Sequence, residues 1–433
     1  MFGRKKKVWR AGVLVAFIAG ISISPASWGQ SAGVFFYEHI EPIIHKNCMP
    51  CHQPGQAGPF SLITYDDVSR KGEFIAKVTK SRYMPPWKAD LNFQQYRNAR
   101  SLTDSEIALI QEWVAAGMPK GKAPKKTKNT LPRNTALITP DLSLKVAEPY
   151  QILTTGIDDF RFFNVPTQLK RDQYLRKIEF IPGNKRLVHH SRLMTDTTHK
   201  VRDIHGLSAN DPQVNQFEKY PPVDKFLYGW VPGNFAIEFP KGTGKKLYKD
   251  SDIIVNIHYS PNRRENQQDQ STVNFYFTEE DSLREVHSMA IAEQNITNGP
   301  FVIPAEETKI FYSKFGPLPI DISAVAVLPH MHFLGKTFRA FAITQEGDAI
   351  FLVKIDDWDF NWQDTYQFSK LLKIPRGSTI FVEATFDNTV ANPANPTRPP
   401  KTVTYGWETA SEMLDMVLYY LVYKPGDEAI DPY

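Results

Sequence analysis

The chain has 433 residues, enough for two to four domains of about 100–200 residues each. Its composition, 42% hydrophobic and 23% charged, is that of a globular protein and excludes extensive disorder. The formal net charge is +4, but residues 1–29 carry five basic side chains and no acidic one, so removing them changes the net charge to −1. A near-neutral protein binds nucleic acid poorly, and we exclude that class of function.

The N-terminal 29 residues have the layout of a targeting segment. A basic stretch, residues 1–10, precedes an apolar stretch, residues 11–25, and small residues follow. This order predicts a secretory signal peptide over residues 1–29 and a periplasmic or secreted bacterial protein without a stable membrane span after cleavage. The apolar stretch is shorter than the roughly 20 residues of a membrane helix. Retention of the segment as an N-terminal anchor is the alternative.

The next region, residues 30–118, shows helical patterns at both ends. Phe36, Ile40 and Ile44 recur at helical spacing, and Thr103-Asp-Ser-Glu106 is a capping box that predicts a second helix start. Residues 119–144 follow as a basic linker rich in Pro and Lys.

Beyond the linker, short β-type runs such as Ile253–Tyr259 and Met416–Tyr423 are separated by Pro, Gly, Asn and Asp. Many short strands without helices between them predict two antiparallel β-sandwiches over residues 145–292 and 293–433.

The only two cysteines of the chain lie in Cys48-Met-Pro-Cys51-His52, which is the attachment pattern of a covalent c-type haem. The two thiols bond to the porphyrin, and the imidazole of His52 takes one axial position on the iron. A thiol-redox site and half of a zinc site are the alternatives. Haem attachment occurs across the membrane, so the motif agrees with the predicted signal peptide.

The second axial ligand of this haem is predicted to be Met84, because the two prolines of Tyr83-Met-Pro-Pro-Trp87 fix an extended loop in which its thioether can face the iron opposite His52. A thioether in that position raises the haem potential. Met118, just after the second helix, is the other candidate. In length, terminal helices and loop methionine, the segment resembles a small class I cytochrome c domain, which implies an all-α fold for residues 30–118.

Five of the eleven histidines form local patterns downstream. His189 and His190 are adjacent, so on a strand they point to opposite faces and share a metal only at a bulge or a strand end. His258 ends an apolar run. His330 and His332 form His-x-His, whose side chains share one face of a strand and chelate a metal. A later Glu412-Met413 pair, with Met416 as the other methionine, offers a thioether that suits cuprous copper better than zinc.

Four motifs occur in a fixed order: His189-His190, His258-Tyr259, His330-Met-His-Phe-Leu-Gly-Lys336 and Glu412-Met413. This order resembles the copper type II, ascorbate-dependent monooxygenases, which include peptidylglycine α-hydroxylating monooxygenase and dopamine β-monooxygenase. The resemblance covers roughly residues 145–425. It implies two jelly-roll β-sandwiches with one copper ion each, separated by a solvent-filled cleft. It assigns the electron-transfer copper to His189, His190 and His258, and the catalytic, O₂-binding copper to His330, His332 and Met413.

The chain departs from the peptide-amidating members at two positions. Leu328 and Val417 stand where those enzymes have an Arg and a Tyr that grip the substrate carboxylate, so we expect a different substrate. The fold class predicted overall is a small all-α cytochrome c domain followed by two all-β sandwiches.

The predicted function is hydroxylation of a C–H bond of a small organic molecule with O₂, by a secreted copper monooxygenase. Its electrons come through the fused haem from a periplasmic donor or an ascorbate-like reductant. The alternative is a non-catalytic periplasmic haem and copper protein that transfers electrons or binds copper.

Overall fold

The computed structural model describes residues 33–54, 56, 58–123, 139–214, 225–234, 236–278, 283–406 and 408–431. The predicted signal peptide lies outside these residues, and so does most of the predicted linker, residues 124–138. The structure is mostly β, and 14% of it is helical. Within the described ranges, every helix is too short or too polar to cross a membrane.

The main helices lie in the N-terminal region. They are α1 (Glu41–Asn47), α2 (Tyr65–Ser69), α3 (Gly72–Lys80) and α4 (Asp104–Ala115). A π-helical turn at Phe36–Ile40 leads directly into α1. The predicted capping box is confirmed, since Thr103 and Glu106 each accept the other's backbone N–H at the start of α4. Phe36, Ile44 and Trp113 lie in the core that the helices share. Short 3₁₀ turns follow at Lys200–Ile204, Glu293–Asn295 and Asp427–Ala429.

The first half of the β structure, residues 142–285, is called the N-terminal β unit. Its strands are β1 (Leu142–Lys145), β2 (Tyr150–Gln151), β3 (Asp159–Pro166), β4 (Gln173–Ile181), β5 (Val188–Asp196), β6 (Phe226–Trp230), β7 (Ile237–Glu238), β8 (Thr243–Leu247), β9 (Asp252–Tyr259), β10 (Gln268–Asp269), β11 (Thr272–Phe277) and β12 (Arg284–Glu285). The two larger sheets have the orders β1-β11-β4-β8-β12, with β7 beside β4, and β3-β9-β5-β6.

The second half, residues 287–422, is called the C-terminal β unit. Its strands are β13 (His287–Ile291), β14 (Val302–Ile303), β15 (Thr308–Phe315), β16 (Ile322–His330), β17 (Gly335–Ile343), β18 (Ala349–Ile355), β19 (Tyr366–Ile374), β20 (Thr379–Asp387), β21 (Val403–Thr404) and β22 (Asp415–Val422). The two larger sheets have the orders β13-β22-β16-β19 and β15-β20-β17-β18. The four larger sheets together are arranged like the blades of a four-bladed propeller.

The β13-β22-β16-β19 sheet is buried on both faces. On β22, Met416 and Leu418 lie in the core of the C-terminal β unit, whereas Tyr419 and Leu421 lie in a second core formed with residues of the N-terminal β unit. Successive side chains of a strand point to opposite faces, so this alternation places one core on each side of the sheet. An apolar run is what such a doubly buried strand requires.

The predicted fold class, a small all-α cytochrome c domain followed by two separate sandwiches, is wrong. Between α3 and α4 the chain leaves the helices, and residues 87–100 pack on the C-terminal β unit. Tyr96 lies in that core, pairs with Phe368 in a β-bridge and donates its hydroxyl to the carbonyl of Leu352 at 2.8 Å. The β-rich fold fits the predicted sandwiches only in part, because one sheet contributes to two cores.

The packing of Tyr96 predicts that residues 87–100 stabilise the β core. Tyr96 is 5% exposed, so Tyr96→Ala leaves a cavity and is expected to lower the free energy of unfolding by about 3 kcal/mol. Tyr83, in the same region, is 50% exposed, and Tyr83→Ala is the matched control with an expected change below about 0.5 kcal/mol. Urea unfolding followed by circular dichroism measures both. Equal effects of the two substitutions would contradict this packing.

Candidate metal centre

The adjacent histidines lie at an irregularity of the β3-β9-β5-β6 sheet. On β5, Val188 pairs with Tyr259 and His190 pairs with His258, and the register shifts between Val188 and His190. His189 is therefore the extra residue of a β-bulge, as the sequence required for both histidines to reach one metal. The bulge turns His189 and His190 toward His258 on the neighbouring strand β9.

Three imidazole nitrogens converge at this point. The Nδ1 atom of His190 lies 3.2 Å from Nδ1 of His189 and 3.3 Å from Nδ1 of His258. A metal ion bonded to imidazole nitrogens at about 2.0–2.1 Å brings its ligand atoms to separations of this order. The side chains of His190 and His258 are buried, and His189 is half-buried. These three residues, called the three-histidine cluster, can hold a metal ion.

Hydrogen bonds on the far side of two rings direct their lone pairs into the cluster. The Nε2 atom of His258 lies 2.6 Å from a carboxylate oxygen of Asp158, and Nε2 of His189 lies 3.2 Å from Oδ1 of Asn361. Both partners are acceptors, so each Nε2 carries the proton and each Nδ1 presents its lone pair to the cluster. The protein therefore holds these two imidazoles in the tautomer that binds a metal through Nδ1.

The His-x-His pair lies where β16 ends. His330 is the last residue of that strand, and His332 is in the turn before β17. The buried carboxylate of Glu412 accepts the backbone N–H groups of His332 (2.8 Å), Leu334 (2.6 Å) and Met413 (3.2 Å). Glu412 thereby fastens the backbone of Met413, which is 1% exposed, to the histidine turn.

The tautomers of this second pair are also set by acceptors. Nδ1 of His330 contacts the side-chain oxygen of Gln363, and Nδ1 of His332 contacts the carbonyl of Ser411 at 2.9 Å. Each Nδ1 therefore carries the proton, and each Nε2 presents its lone pair. Two imidazole nitrogens and a thioether from Met413 are a donor set that suits copper. The other methionine, Met416, belongs to the core of the C-terminal β unit.

The two histidine groups, the three-histidine cluster and the pair His330 and His332, lie close together in the structure. The resemblance, in contrast, implies a solvent-filled cleft between the two metal sites. The ring centroids of His190 and His330 are 6.2 Å apart. The ring of Phe360, which is 4% exposed, contacts both groups, with its centroid 5.0 Å from that of His189 and 5.6 Å from that of His332. An aromatic side chain thus occupies space that a cleft would leave to water.

Burial keeps these histidines neutral near pH 7. It lowers the pKa of His189 to about 4, and it lowers the pKa of His332 to about 4 against the opposing hydrogen bond to Ser411. Burial likewise lowers the pKa of His190, His258 and His330. Because a metal binds only the unprotonated nitrogen, both groups are prepared to bind a cation.

The Cys48–His52 motif follows α1. Both thiols are free and half-buried, and burial raises the pKa of Cys48 to about 12 and also raises that of Cys51. Reactive redox thiols have lowered pKa values, so the alternative of a thiol-redox site finds no support here. Nδ1 of His52 lies 3.2 Å from the carbonyl of Phe60. Nε2 of His52 therefore presents a lone pair, as an axial haem ligand must.

The two candidate axial methionines differ in their surroundings. Met118 packs against the helical core, and its sulfur lies within 2.3 Å of where a Cβ on Gly72 would be. Met84 is half-buried in the loop after α3. The motif itself abuts the N-terminal β unit, because a Cβ on Gly233 would lie 3.3 Å from Sγ of Cys51.

Several residues that complete the site were not anticipated from the sequence: Asp158, Phe360, Asn361, Gln363 and Thr409. They lie in loops, and no periodicity or spacing links them to the histidines. The one signal was the composition of residues 356–364, where four Asp, an Asn and a Gln alternate with aromatic residues between two strands. That density of polar and aromatic side chains is unusual for a plain connection.

Comparisons with known proteins agree with the predicted resemblance at a distance. The chain is 22% identical over 367 residues to human "DBH-like monooxygenase protein 1" and 22% identical over 359 residues to the mouse protein of that name. Each alignment covers 76% of this chain and 56% of the relative, so the chain spans about half the length of these proteins. No protein-family model matches the chain. The major capsid protein P2 of bacteriophage PM2 matches 66% of this chain and 98% of its own, at 8% identity and a TM-score of 0.26.

The lowered pKa values predict acid sensitivity of the metal-free protein. The pKa of His189 is 6.5 in the unfolded chain and about 4 in the folded protein, so the unfolded chain binds protons first. The stability contribution is present above pH 6.5 and is lost as the pH falls toward 4. We expect the loss of unfolding free energy between pH 7 and pH 4.5 to be smaller in His189→Gln than in the wild type. Urea titrations at both pH values measure it, with His39→Gln as the control; equal losses in both variants would contradict it.

Proposed function

We propose that the chain is a copper-dependent monooxygenase that inserts one oxygen atom into a C–H bond of a small organic molecule. The observation that carries this proposal is the three-histidine cluster with converging Nδ1 atoms, whose His190 ring is in contact with the ring of His330 from the His-x-His pair. The distant similarity to DBH-like monooxygenases supports the same class of reaction. In this proposal His189, His190 and His258 hold the electron-transfer copper, and His330, His332 and Met413 hold the catalytic copper.

The reaction consumes one O₂, two electrons and two protons, and it yields the hydroxylated product and one water. Bound copper supplies one-electron storage and O₂ activation at the two sites. The protein supplies neutral imidazoles in defined tautomers, a thioether beside Glu412, and a ring, Phe360, that excludes water between the groups. Excluding water strengthens the electrostatic interactions inside such a site.

We propose a substrate without a carboxylate at the position that the Arg and Tyr of the peptide-amidating enzymes would bind. Leu328 and Val417 are directly opposite one another on β16 and β22, close to the strand end that bears His330. Two apolar side chains there offer dispersion contacts and no charge to a substrate. A compact apolar or aromatic molecule therefore fits the proposal better than a glycine-extended peptide.

Electrons are proposed to reach the copper sites from a haem attached at Cys48 and Cys51, with His52 and Met84 as axial ligands. The orientation of His52 and the close approach of Cys51 to Gly233 support this part of the proposal. A periplasmic donor or an ascorbate-like reductant would reduce the haem. In this proposal the protein is secreted. The haem would be held on the integrated N-terminal region rather than on a separate domain.

A non-catalytic haem and copper protein is the second candidate, and the burial of the ligands favours it. His258, His332 and Met413 are 1–2% exposed, which suits a closed electron carrier. Oxygen consumption separates the two candidates, because a carrier does not couple O₂ reduction to product.

The copper assignment predicts two copper ions per chain. His330→Ala is expected to lose one copper and the oxygen consumption while retaining the other copper, since the three-histidine cluster lies on different strands. Metal analysis after copper loading, together with an oxygen electrode and added reductant, measures this. His287→Ala, on β13 outside both groups, is the control and should keep both ions. Two tightly bound zinc ions with weak copper binding would contradict the proposal.

The haem assignment predicts that Cys51→Ala abolishes normal double thioether attachment. Met84→Ala should keep the haem covalently bound but lose the thioether–iron charge-transfer band and lower the potential. Met118→Ala is the matched control, because Met118 packs in the helical core. Absorption spectra of the purified proteins measure all three. A charge-transfer band that persists in Met84→Ala and disappears in Met118→Ala would reverse the assignment of the axial methionine.

A further inference from the structure

The three-histidine cluster belongs to the N-terminal β unit, but of the two groups that orient its rings, one belongs to the C-terminal β unit and the other is hydrogen-bonded to it. His258 is oriented by Asp158, and His189 is oriented by Asn361. Asp158 directly precedes β3, whereas Asn361 lies in the loop between β18 and β19. The cluster is therefore completed across the contact between the two β units.

The carboxylate of Asp158 bridges the units. Its Oδ1 atom lies 2.6 Å from Nε2 of His258, and its Oδ2 atom accepts the hydroxyl of Thr409 at 2.5 Å. Thr409 is 7% exposed and lies four residues before Met413, in the segment that leads into β22. A single carboxylate thus joins a ring of the three-histidine cluster to the segment that bears the thioether.

Asn361 reaches the other ring from a fixed position. Its backbone N–H and its side-chain NH₂ both donate to the same carboxylate oxygen of Asp359, at 3.0 and 2.9 Å. With the NH₂ group held there, the amide oxygen Oδ1 faces Nε2 of His189 at 3.2 Å. The acceptor that selects the tautomer of His189 is therefore fixed by the C-terminal β unit alone.

We propose that Asp158, held by Thr409, and Asn361 are positioning residues that couple metal binding at the three-histidine cluster to the contact between the two β units. The proposal rests on the metal site of the proposed function. Separating the units would remove the acceptor of His189 and release the carboxylate that orients His258. The Nδ1 lone pairs would then no longer be fixed toward one point. Binding is reciprocal, so metal at the cluster also stabilises the contact between the units.

Removing Thr409 tests this coupling without changing a proposed ligand. In the full-length chain carrying His330→Ala, which leaves one proposed copper site, Thr409→Val should weaken Cu²⁺ binding about tenfold, the lower range for loss of a group that orients a ligand. Thr409→Ser should restore the affinity, because its hydroxyl still donates to Asp158. Thr402→Val, at an exposed position outside the bridge, is the matched control. Competition with a chromophoric chelator measures the affinity.

Two further readouts separate positioning from loss of structure. The melting temperature of the metal-free protein should change little in Thr409→Val, whereas the stabilisation gained on adding Cu²⁺ should shrink. Copper hyperfine splitting in the electron paramagnetic resonance spectrum should change in Thr409→Val and return in Thr409→Ser. If Thr409→Val does not fold, Asn361→Ala, on an exposed loop, gives the same reading through His189, with Asn210→Ala as its control.

The outcomes distinguish this inference from the function on which it rests. Failure of the parent chain to bind Cu²⁺ at the three-histidine cluster would overturn the proposed metal site itself. Copper bound by the parent chain, with unchanged affinity and spectrum in Thr409→Val and Asn361→Ala, would overturn the coupling alone. An affinity that falls equally in Thr402→Val would also overturn it.

Discussion

Burial of both faces of the β13-β22-β16-β19 sheet is the constraint on which the arrangement of the site depends. One face closes the core of the C-terminal β unit, and the other packs against the N-terminal β unit. His330 ends β16 directly opposite Asp415, the first residue of β22. The histidine turn and the segment with Met413 therefore meet where β16 ends and β22 begins. These strand ends face the bulge of β5.

Deep burial determines the protonation of the site, and hydrogen-bond acceptors determine which nitrogens are free. His190 and His258 are buried, so a charged imidazole is disfavoured and the neutral form prevails. Asp158 and Asn361 then select Nδ1 as the free nitrogen in the three-histidine cluster, whereas Ser411 selects Nε2 in His332. The two groups thus present opposite ring nitrogens, although both consist of neutral histidine.

The N-terminal region is fastened to the β units by polar as well as apolar contacts. The guanidinium of Arg100 pairs with the carboxylate of Asp364 and donates to the carbonyl of Gly233 at 2.7 Å. Asp364 is 6% exposed, so an unpaired charge there would be strongly destabilising. The same Gly233 lies against Cys51. The Cys48–His52 motif is therefore held next to the β units.

Local features of the chain were determined by the sequence alone. The capping box at Thr103 and the apolar strands of β9 and β22 depend on neighbouring residues, and the structure contains them. The bulge at His189 also followed from local geometry, because adjacent side chains of a regular strand cannot converge. The pattern of histidines also identified the three residues that converge in the three-histidine cluster, His189, His190 and His258.

Only the tertiary structure decided how these parts combine. Tyr96 joined the β core instead of an all-α domain, because residues 87–100 could satisfy their backbone groups on the edge of β19. The two histidine groups lie in contact because the β13-β22-β16-β19 sheet is apolar on both faces and packs against the N-terminal β unit with one of them. The pattern of apolar residues in a strand does not indicate which element will cover each face. Asp158, Asn361 and Thr409 are far apart in sequence, so their bonds to the imidazoles arise only when the two β units pack together.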